Sequence, residues 1–442
     1  MKKNLLLALL QVTSLTSVFA QTNALEYRRS SLHMILVESE TFPKKELVMK
    51  GWNGYLDKRF PDKYNNHKVS STSFNPSKYT VTDAEREAAG IKKPSEAGKL
   101  LKGAVSDATG GIVGSNDPDM PVKIQKFIDE SKLANQLVAK WFNRKSDGSM
   151  NYEYIMEKSK ESASEESKDI ATGTADNDEY LYDEELIGNT FVVFSKLTFV
   201  ENEPVARVVR DQLLAVANEM SIEMLRNKAI EKANQAYEIG KVGYSVWTKV
   251  YLYQLVWNDQ VAESVKSTFF KKGDNTFGAS EWDKTDLFKL KFVGDENTSS
   301  LVTFSLKEKR TEEQLVNLAT VRNIDNVFAK LQKKYVVFRP VTPIASVGPI
   351  TAKIGLKEGI EPGDKFEILK SVRDPKTHKK SYVSFSSAKV DKDFPVYDNL
   401  AREEGAERLD DAGNPITTPE YTTFSGGDKK TQKSVHYLRL MK

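Results

Sequence analysis

Residues 190–200 read TFVVFSKLTFV, and this stretch is the strongest strand signal in the chain. Apolar side chains fill it almost continuously instead of alternating with polar ones. A strand with this pattern is typically buried on both of its faces. We therefore predict that residues 190–200 form a strand inside the core of the protein.

Helical and strand-like patterns alternate around this stretch, which predicts a mixed α/β domain over residues 121–340. The helical patterns cover residues 119–142, 205–239, 261–270 and 311–331, with Thr311 and Gln314 placed as in a capping box. The strand patterns cover residues 152–156, 247–257 and 335–338, together with a pair at 287–293 and 300–306 joined by a turn at Gly294 and Asp295.

The residues before this domain contain frequent Pro, Gly and Asn, which favour turns. We expect residues 21–120 to be an irregular N-terminal region with extended arms. Short strands are predicted only at Leu32–Val37 and Glu46–Met49, and a helical turn at Asp83–Ala89. Gly110, Gly111 and Gly114 mark a hinge-like loop.

The C-terminal part, residues 341–442, changes to short strands and turns. Glu361-Pro362-Gly363-Asp364 suits a type II turn, because Pro presets φ and Gly accepts a positive φ. Strands are predicted at 366–369, 382–385 and 435–440, with a long loop over 398–430. These features indicate a small antiparallel β-barrel or sandwich, so the expected fold class is α+β.

The first twenty residues have the pattern of a secretory signal peptide. Lys2 and Lys3 precede a mostly apolar stretch, and Val18-Phe19-Ala20 places small residues before a cut ahead of Gln21. The apolar run is shorter than the roughly 20 residues that span a bilayer. We predict that residues 1–20 are removed and that the product is periplasmic or associated with the outer membrane.

The composition excludes several classes of protein. The chain has no Cys, which excludes thiolate metal centres, disulfide frameworks and anchoring through an acylated cysteine. Loss of the two signal lysines lowers the formal net charge from +3 to +1, without the basic excess typical of nucleic-acid proteins. No later stretch is apolar enough for a transmembrane segment.

The sequence contains no catalytic, cofactor-binding or metal-binding signature. The four histidines, His33, His67, His378 and His436, show no metal-ligand spacing, and surface or incidental roles are expected. The Gly110–Gly114 loop lacks the Lys-Ser/Thr of a phosphate-binding loop. Ser245 is preceded by Gly243, but Trp247 occupies the place of the second glycine of a hydrolase nucleophile motif.

Two further sequence patterns each allow two interpretations. The acidic residues between Asp176 and Glu185 offer calcium ligands but lack the order of an EF-hand, so a solvated acidic loop is preferred. The aromatic residues Trp247, Tyr251, Tyr253 and Trp257 share one strand face, which suits either a buried core or a sugar-stacking surface, and the core is preferred.

The segment 349–369, PITAKIGLKEGIEPGDKFEIL, resembles the small β-barrel module at the C-terminus of FlgT-like envelope-assembly proteins. The shared pattern is a strand, a Gly-containing turn and Gly-Asp before the next strand. The helix ending at Trp141-Phe142 and the strand at Thr190 resemble CsgG-like periplasmic domains. Together these segments cover about a quarter of the chain. The resemblance implies an assembly or binding role and supplies no catalytic residues.

The leading hypothesis is therefore a non-enzymatic periplasmic or envelope-associated protein that binds an envelope protein partner. No nucleic-acid partner and no cofactor are expected. The alternatives are an exported glycan hydrolase that uses paired carboxylates, or a carbohydrate-binding protein without turnover. An assembly protein should expose an apolar patch or an unpaired sheet edge, whereas a hydrolase needs converging carboxylates in a cleft.

Overall fold

The computed structural model describes residues 30–39, 41–91, 117–145, 147–151, 153–161, 184–241, 244–269, 282–302, 311–373, 380–400, 419–431 and 436–441. Its α-helices are α1 (Lys45–Lys58), α2 (Asp83–Ala88), α3 (Met120–Glu130), α4 (Leu133–Trp141), α5 (Glu153–Glu161), α6 (Glu184–Gly188), α7 (Asn202–Asn218), α8 (Glu223–Gly240), α9 (Asp259–Phe269) and α10 (Glu312–Lys334). Its strands are β1 (Ser30–Val37), β2 (Tyr64–Asn66), β3 (Ser73–Phe74), β4 (Thr190–Glu201), β5 (Tyr244–Leu255), β6 (Leu290–Val302), β7 (Thr342–Pro343), β8 (Ser346–Val347), β9 (Ile350–Ala352), β10 (Lys365–Arg373), β11 (Lys380–Val390), β12 (Thr422–Gly426) and β13 (His436–Leu440).

The first sheet is mixed and has the strand order β2–β1–β4–β5–β6, with β3 also pairing with β1. β1 runs parallel to β2, β3 and β4, whereas β5 is antiparallel to both β4 and β6. Successive side chains of β4 point to opposite faces and both faces are buried: Val192 and Phe194 lie in one core, Phe191 and Val193 in the other. The prediction for residues 190–200 is confirmed.

Helices cover both faces of this sheet. On one face, α3, α4 and α9 contribute Ile124, Leu137 and Val265 to the core. On the other face, α1 and α10 contribute Trp52 and Ile324. The result is a three-layer helix–sheet–helix arrangement, which explains why β4 carries apolar residues at nearly every position.

The second sheet is antiparallel and has the strand order β7–β13–β10–β11–β12–β9–β8. It curls into a half-barrel whose core includes Phe366 and Phe424. The turn before β10 forms as predicted, because the amide of Asp364 donates to the carbonyl of Glu361 at 3.1 Å and Gly363 has φ 89°. The mixed sheet and the curled antiparallel sheet together confirm the α+β fold class.

The N-terminal segment is more regular than its turn-rich sequence predicts. Leu32–Val37 belongs to a strand, as expected, but that strand lies inside the sheet between β2 and β4. The irregular course expected for residues 21–120 is therefore wrong for residues 45–58, which form α1. The helical turn predicted at Asp83–Ala89 is found as α2, which ends at Ala88 and is capped by Thr82.

Glu46–Met49, predicted as a strand, lies in α1 instead. Val48, Trp52 and Tyr55 recur at helical spacing and are buried against α10, so tertiary packing decides the conformation. Gly51 has a packing role in this helix: a Cβ added to it would lie 3.1 Å from Cβ of Thr320 in α10. This glycine allows close approach of two helices rather than a turn.

Several boundaries after residue 120 also differ from the prediction. The helices expected over 119–142 and 205–239 are each broken in two, and residues 153–156 are helical. The two strands predicted at 287–293 and 300–306 fall in one strand, β6, as far as Val302, and residues 303–306 lie outside the described residues. Residues 336–338 form a 3-10 helix. Part of the predicted 398–430 loop is β12, which pairs with β9 and β11.

Gly294, predicted as part of a turn, lies inside β6. A Cβ at this position would lie 2.1 Å from the hydroxyl oxygen of Tyr335, so glycine makes room for that ring. The amide of Asp295 donates to the Tyr335 hydroxyl, which in turn donates to the carbonyl of Asp295, both at 3.0 Å. A glycine inside a strand marks close packing as readily as it marks a turn.

Candidate functional site: an exposed helical hairpin

The helices α7 and α8 form a hairpin that is inserted between two paired strands. Glu201, at the end of β4, is directly opposite Tyr244, at the start of β5. Antiparallel neighbours in this position need only a two-residue turn to connect them. The chain instead passes through two helices of 17 and 18 residues, which the β4–β5 connection does not require.

The two helices pack on each other through small residues. Ala217 of α7 and Ala233 of α8 are buried, and a Cβ at Gly240 would lie 3.7 Å from Cβ of Ala206. Apart from Asn202 at the junction with β4, these two alanines are the buried residues of the described hairpin. The hairpin therefore contributes little to the cores that cover the sheet.

Polar contacts hold the base of the hairpin together. The hydroxyl of Tyr237 donates to Glu203 at 2.9 Å, and the guanidinium of Arg210 lies 4.3 Å from the centre of the Tyr237 ring. Hydrogen bonds from Arg207 first, and then from Tyr237, hold the pKa of Glu203 below its ordinary value. These contacts fix the orientation of α8 relative to α7.

Large apolar side chains cover one side of α7 and the tip of the hairpin. We call these residues the hairpin apolar surface: Val209, Leu213, Val216, Met220, Ile222, Met224 and Leu225. Their exposures include 46% for Leu213, 58% for Val216 and 76% for Met224. A contiguous exposed apolar patch of more than a few hundred Å² is uncommon on a monomer and usually marks an interaction site.

The spacing on α7 is that of a helix-packing seam. Val209, Leu213, Val216 and Met220 are separated by four, three and four residues, which keeps them on one side of the helix. Leu214 and Ala217 lie outside this stripe and are half-buried and buried, respectively. In the part of the chain that the structure describes, the seam on α7 has no helix packed against it.

The charges on the hairpin are balanced. Residues 203–241 contain six acidic and six basic side chains, and no Trp or Phe. Glu219 and Glu223 lie beside the apolar tip. A helix that lies on an anionic membrane is typically basic and carries aromatic anchors, so this surface better suits a protein partner.

Three of the four histidines are buried, so the expected surface position is wrong for them. His33 and His67 each place Nε2 within hydrogen-bond distance of a backbone carbonyl, Ser71 at 2.7 Å and Leu137 at 2.8 Å. Burial lowers the pKa of His33 to about 4 and that of His67 to about 3. His436 is buried in β13, and His378 lies outside the described residues.

The aromatic face of β5 belongs largely to the core, as preferred from the sequence. Tyr251 and Tyr253 are buried, and the ring of Tyr253 lies edge-on to Phe194 at 5.6 Å. Trp247 and Trp257 are half-buried. The four residues therefore do not form an exposed stacking platform.

The other residues considered from the sequence are dispersed. The hydroxyl of Ser245 donates to Asn202 at 2.6 Å. Glu184 and Glu185 begin α6, whereas residues 176–183 and the Gly110–Gly114 loop lie outside the described residues. Among the described residues, no three His, Asp or Glu side chains are grouped to hold a metal ion.

No helix in the described part of the chain combines the length and apolar character needed to span a bilayer.

Comparisons with known proteins do not assign a family. No family model matches this chain, and no curated protein matches it significantly. The resemblances to FlgT-like and CsgG-like proteins stay predictions from the sequence.

Proposed function

We propose that this protein is a non-enzymatic, exported binding protein of the cell envelope, and that it binds a protein partner through the hairpin apolar surface. The observation that carries the proposal is the exposed apolar seam on a hairpin that the fold does not need. Natural chains rarely retain several exposed Val, Leu, Ile and Met side chains together without a partner that covers them.

The partner is a different protein that presents an apolar groove. The apolar side chains of the seam on α7 have the spacing with which one helix packs against another. Met220 and Met224 add flexible side chains at the tip, which can adjust to the shape of a partner. A second copy docking tip to tip would place Glu219, Glu223 and Arg226 of both copies at the contact, two acids to one base, so net charge does not favour that pairing. The balanced charge of the hairpin likewise argues against attraction to anionic lipid.

Position-specific photo-crosslinking tests this proposal on the full chain expressed in its native cells. Benzoylphenylalanine is placed at Leu213 or Val216 on the seam, and at Asp211 or Ala215 on the opposite side of α7. All four positions are exposed, so reagent access is matched. We expect one adduct of defined mass from the two seam positions and none from the two controls.

Binding strength provides the second measurement. Leu213→Glu combined with Val216→Glu should weaken binding of the crosslinked partner at least tenfold, because buried apolar anchors dominate interfaces. Asp211→Asn should leave it unchanged. Three results would each refute the proposed partner. They are equal adducts from both sides of α7, a dimer of this chain by light scattering, and binding to anionic vesicles that the double substitution abolishes.

Export is tested separately. If residues 1–20 are a cleaved signal, the protein purified from the envelope fraction begins at Gln21. Recovery of the chain from the cytosol with Met1 to Ala20 attached would refute the proposed location without bearing on the hairpin.

A further inference from the structure

A cleft opens at the carboxyl end of β1, on a part of the molecule separate from the hairpin. Its volume is about 690 Å³. β1 pairs with β4 as far as Leu36 opposite Ser195 and ends at Val37, while β4 continues to Glu201. The cleft lies where β4 extends past its neighbour, and Lys196 and Thr198 of β4 form one wall.

The cleft lies at a topological switch point, where the connections from neighbouring parallel strands run to opposite sides of β1. From β1 the chain passes through α1, on one face, to β2 on one side of β1. From β3 it passes through α3 and α4, on the opposite face, to β4 on the other side. In open α/β sheets, crevices at such points beyond the carboxyl ends of parallel strands are common ligand sites.

Three lysines from three different elements line the cleft. They are Lys45 at the start of α1, Lys123 in α3 and Lys196 in β4. The ammonium of Lys45 donates to the carbonyl of Ser39 at 2.9 Å, and that of Lys123 donates to Asp117 at 2.8 Å. These contacts hold two of the ammonium groups in place before any ligand arrives.

The electrostatics of the lining favour an anion. Among the described residues that line the cleft, three lysines outnumber the two acidic residues, Glu38 and Asp117. The N-terminus of α1 adds partial positive charge in the same place, because its N-cap residue, Lys44, makes no side-chain cap.

Apolar side chains supply another part of the surface. Phe42, Met49 and Met120 line the cleft beside the lysines. A volume of this size suits a small organic molecule rather than a bare ion. The cleft thus combines an apolar wall with cationic donors from several directions.

We propose that this cleft binds a small organic anion, in which a carboxylate or phosphate group is attached to an apolar body. The anionic oxygens contact the ammonium groups of Lys45 and Lys196, and the apolar body packs on Phe42 and Met49. This site is independent of the hairpin, so the proposal stands or fails separately from the proposed function.

Calorimetry on the purified full chain tests the site. The probes are phenyl phosphate and benzoate, with benzamide as the neutral analogue and inorganic phosphate as the anion without an apolar body. We expect saturable binding of at least one organic anion and at least tenfold weaker binding of benzamide and inorganic phosphate. Comparison of phenyl phosphate with benzoate identifies the preferred anionic group.

Variants locate the binding. Lys45→Gln combined with Lys196→Gln should weaken binding of the organic anion at least tenfold. Lys50→Gln, on the same helix but paired with Glu313 outside the cleft, should leave it unchanged. Circular dichroism confirms that each variant is folded. Absence of saturable binding, equal binding of benzamide, or an equal loss in Lys50→Gln would overturn the proposal.

Discussion

Arg339 joins the helix–sheet–helix part of the molecule to the half-barrel, and its removal gives a sharp test of the fold. Its side chain is 7% exposed. The guanidinium donates to the carbonyls of Gln332 at 3.1 Å and Lys333 at 2.8 Å, near the end of α10, and to that of Leu440 in β13 at 3.0 Å. The last carbonyls of a helix lack hydrogen-bond donors within it. The Arg339 side chain supplies donors to two of these carbonyls in α10 and to one carbonyl in β13, so it connects the two elements.

The expected cost of Arg339→Met follows from these contacts. A hydrogen bond that involves a charged group contributes about 1.5–3 kcal/mol, and a buried carbonyl left without a donor is penalised further. Methionine restores apolar volume and removes the desolvation cost of a buried charge, which offsets part of the loss. We expect the free energy of unfolding to fall by about 3 kcal/mol, a large share of the 5–15 kcal/mol typical of proteins.

Urea denaturation followed by circular dichroism measures this change. Arg439→Met is the matched control, because Arg439 is also in β13 but makes a partly exposed ion pair with Glu367 at 2.8 Å. Such pairs contribute about 0–1 kcal/mol. A loss below about 1 kcal/mol in Arg339→Met, or the same loss in both variants, would show that Arg339 does not connect the two parts as described.

Two further changes probe buried positions. Burial lowers the pKa of His33 to about 4 and that of His67 to about 3, below the ordinary value of 6.5. The folded state therefore favours the neutral imidazoles. Their contribution to the free energy of unfolding is complete above pH 6.5 and is lost as the pH falls toward 4. Urea unfolding between pH 7.5 and 4.5 should show this loss, at up to about 1.4 kcal/mol per pH unit for each histidine. His67→Gln should make the free energy of unfolding depend less steeply on pH, and an unchanged dependence would contradict the prediction. Gly359→Ala should lower the free energy of unfolding by about 1–3 kcal/mol, because Gly359 has φ 70° and the added Cβ would lie 2.9 Å from that of Ala329. Gly54→Ala is the control, because the space around Gly54 is open, and it should not destabilise the protein. Equal urea midpoints for these two variants would exclude the predicted strain.

The sequence predicts best where one strong local signal agrees with the packing. The continuous apolar run of β4 and the capping box at Thr311 and Gln314 are both found in the structure. The 361–364 turn forms for the reason read from its Pro and Gly. In each case, neighbouring residues supply most of the information, so no distant partner is needed to interpret them.

The errors arise where a distant residue decides the outcome. Gly294 is predicted as part of a turn, but it is a point of close approach to Tyr335, and Gly51, in the turn-rich N-terminal region, is likewise a point of close approach to Thr320. His67 gives no sequence signal of burial, yet its ring stacks on Trp141 at 4.7 Å between centroids. Single-residue rules cannot separate these roles because the contacting residue is far along the chain.

The candidate site illustrates the same limit. The stripe of Val209, Leu213, Val216 and Met220 is visible in the sequence as one side of a helix. Periodicity predicts that such a stripe is covered by something, and the natural expectation is the core of the same chain. Whether that cover comes from within the chain depends on where β4 and β5 place the hairpin, which only the structure provides.

The position of the hairpin makes its role separable from folding. Deletion of residues 203–242 would leave Glu201-Asn202-Gly243-Tyr244, and Asn-Gly is the preferred pair for a two-residue turn between antiparallel strands. Among the described residues of the deleted segment, the buried ones are Ala217 and Ala233, both within the hairpin. The deletion variant should therefore fold, with a change in unfolding free energy below about 2 kcal/mol, and should no longer give the partner adduct.

The cleft supplies an internal control for that deletion. None of the described residues that line the cleft belongs to the hairpin, so organic anions that bind the full chain should bind the deletion variant equally well. Far-ultraviolet circular dichroism should show lower helix content, and urea unfolding should remain cooperative. If the variant is unfolded or loses more than about 3 kcal/mol, the hairpin is a structural element, and its exposed apolar residues no longer argue for an external partner.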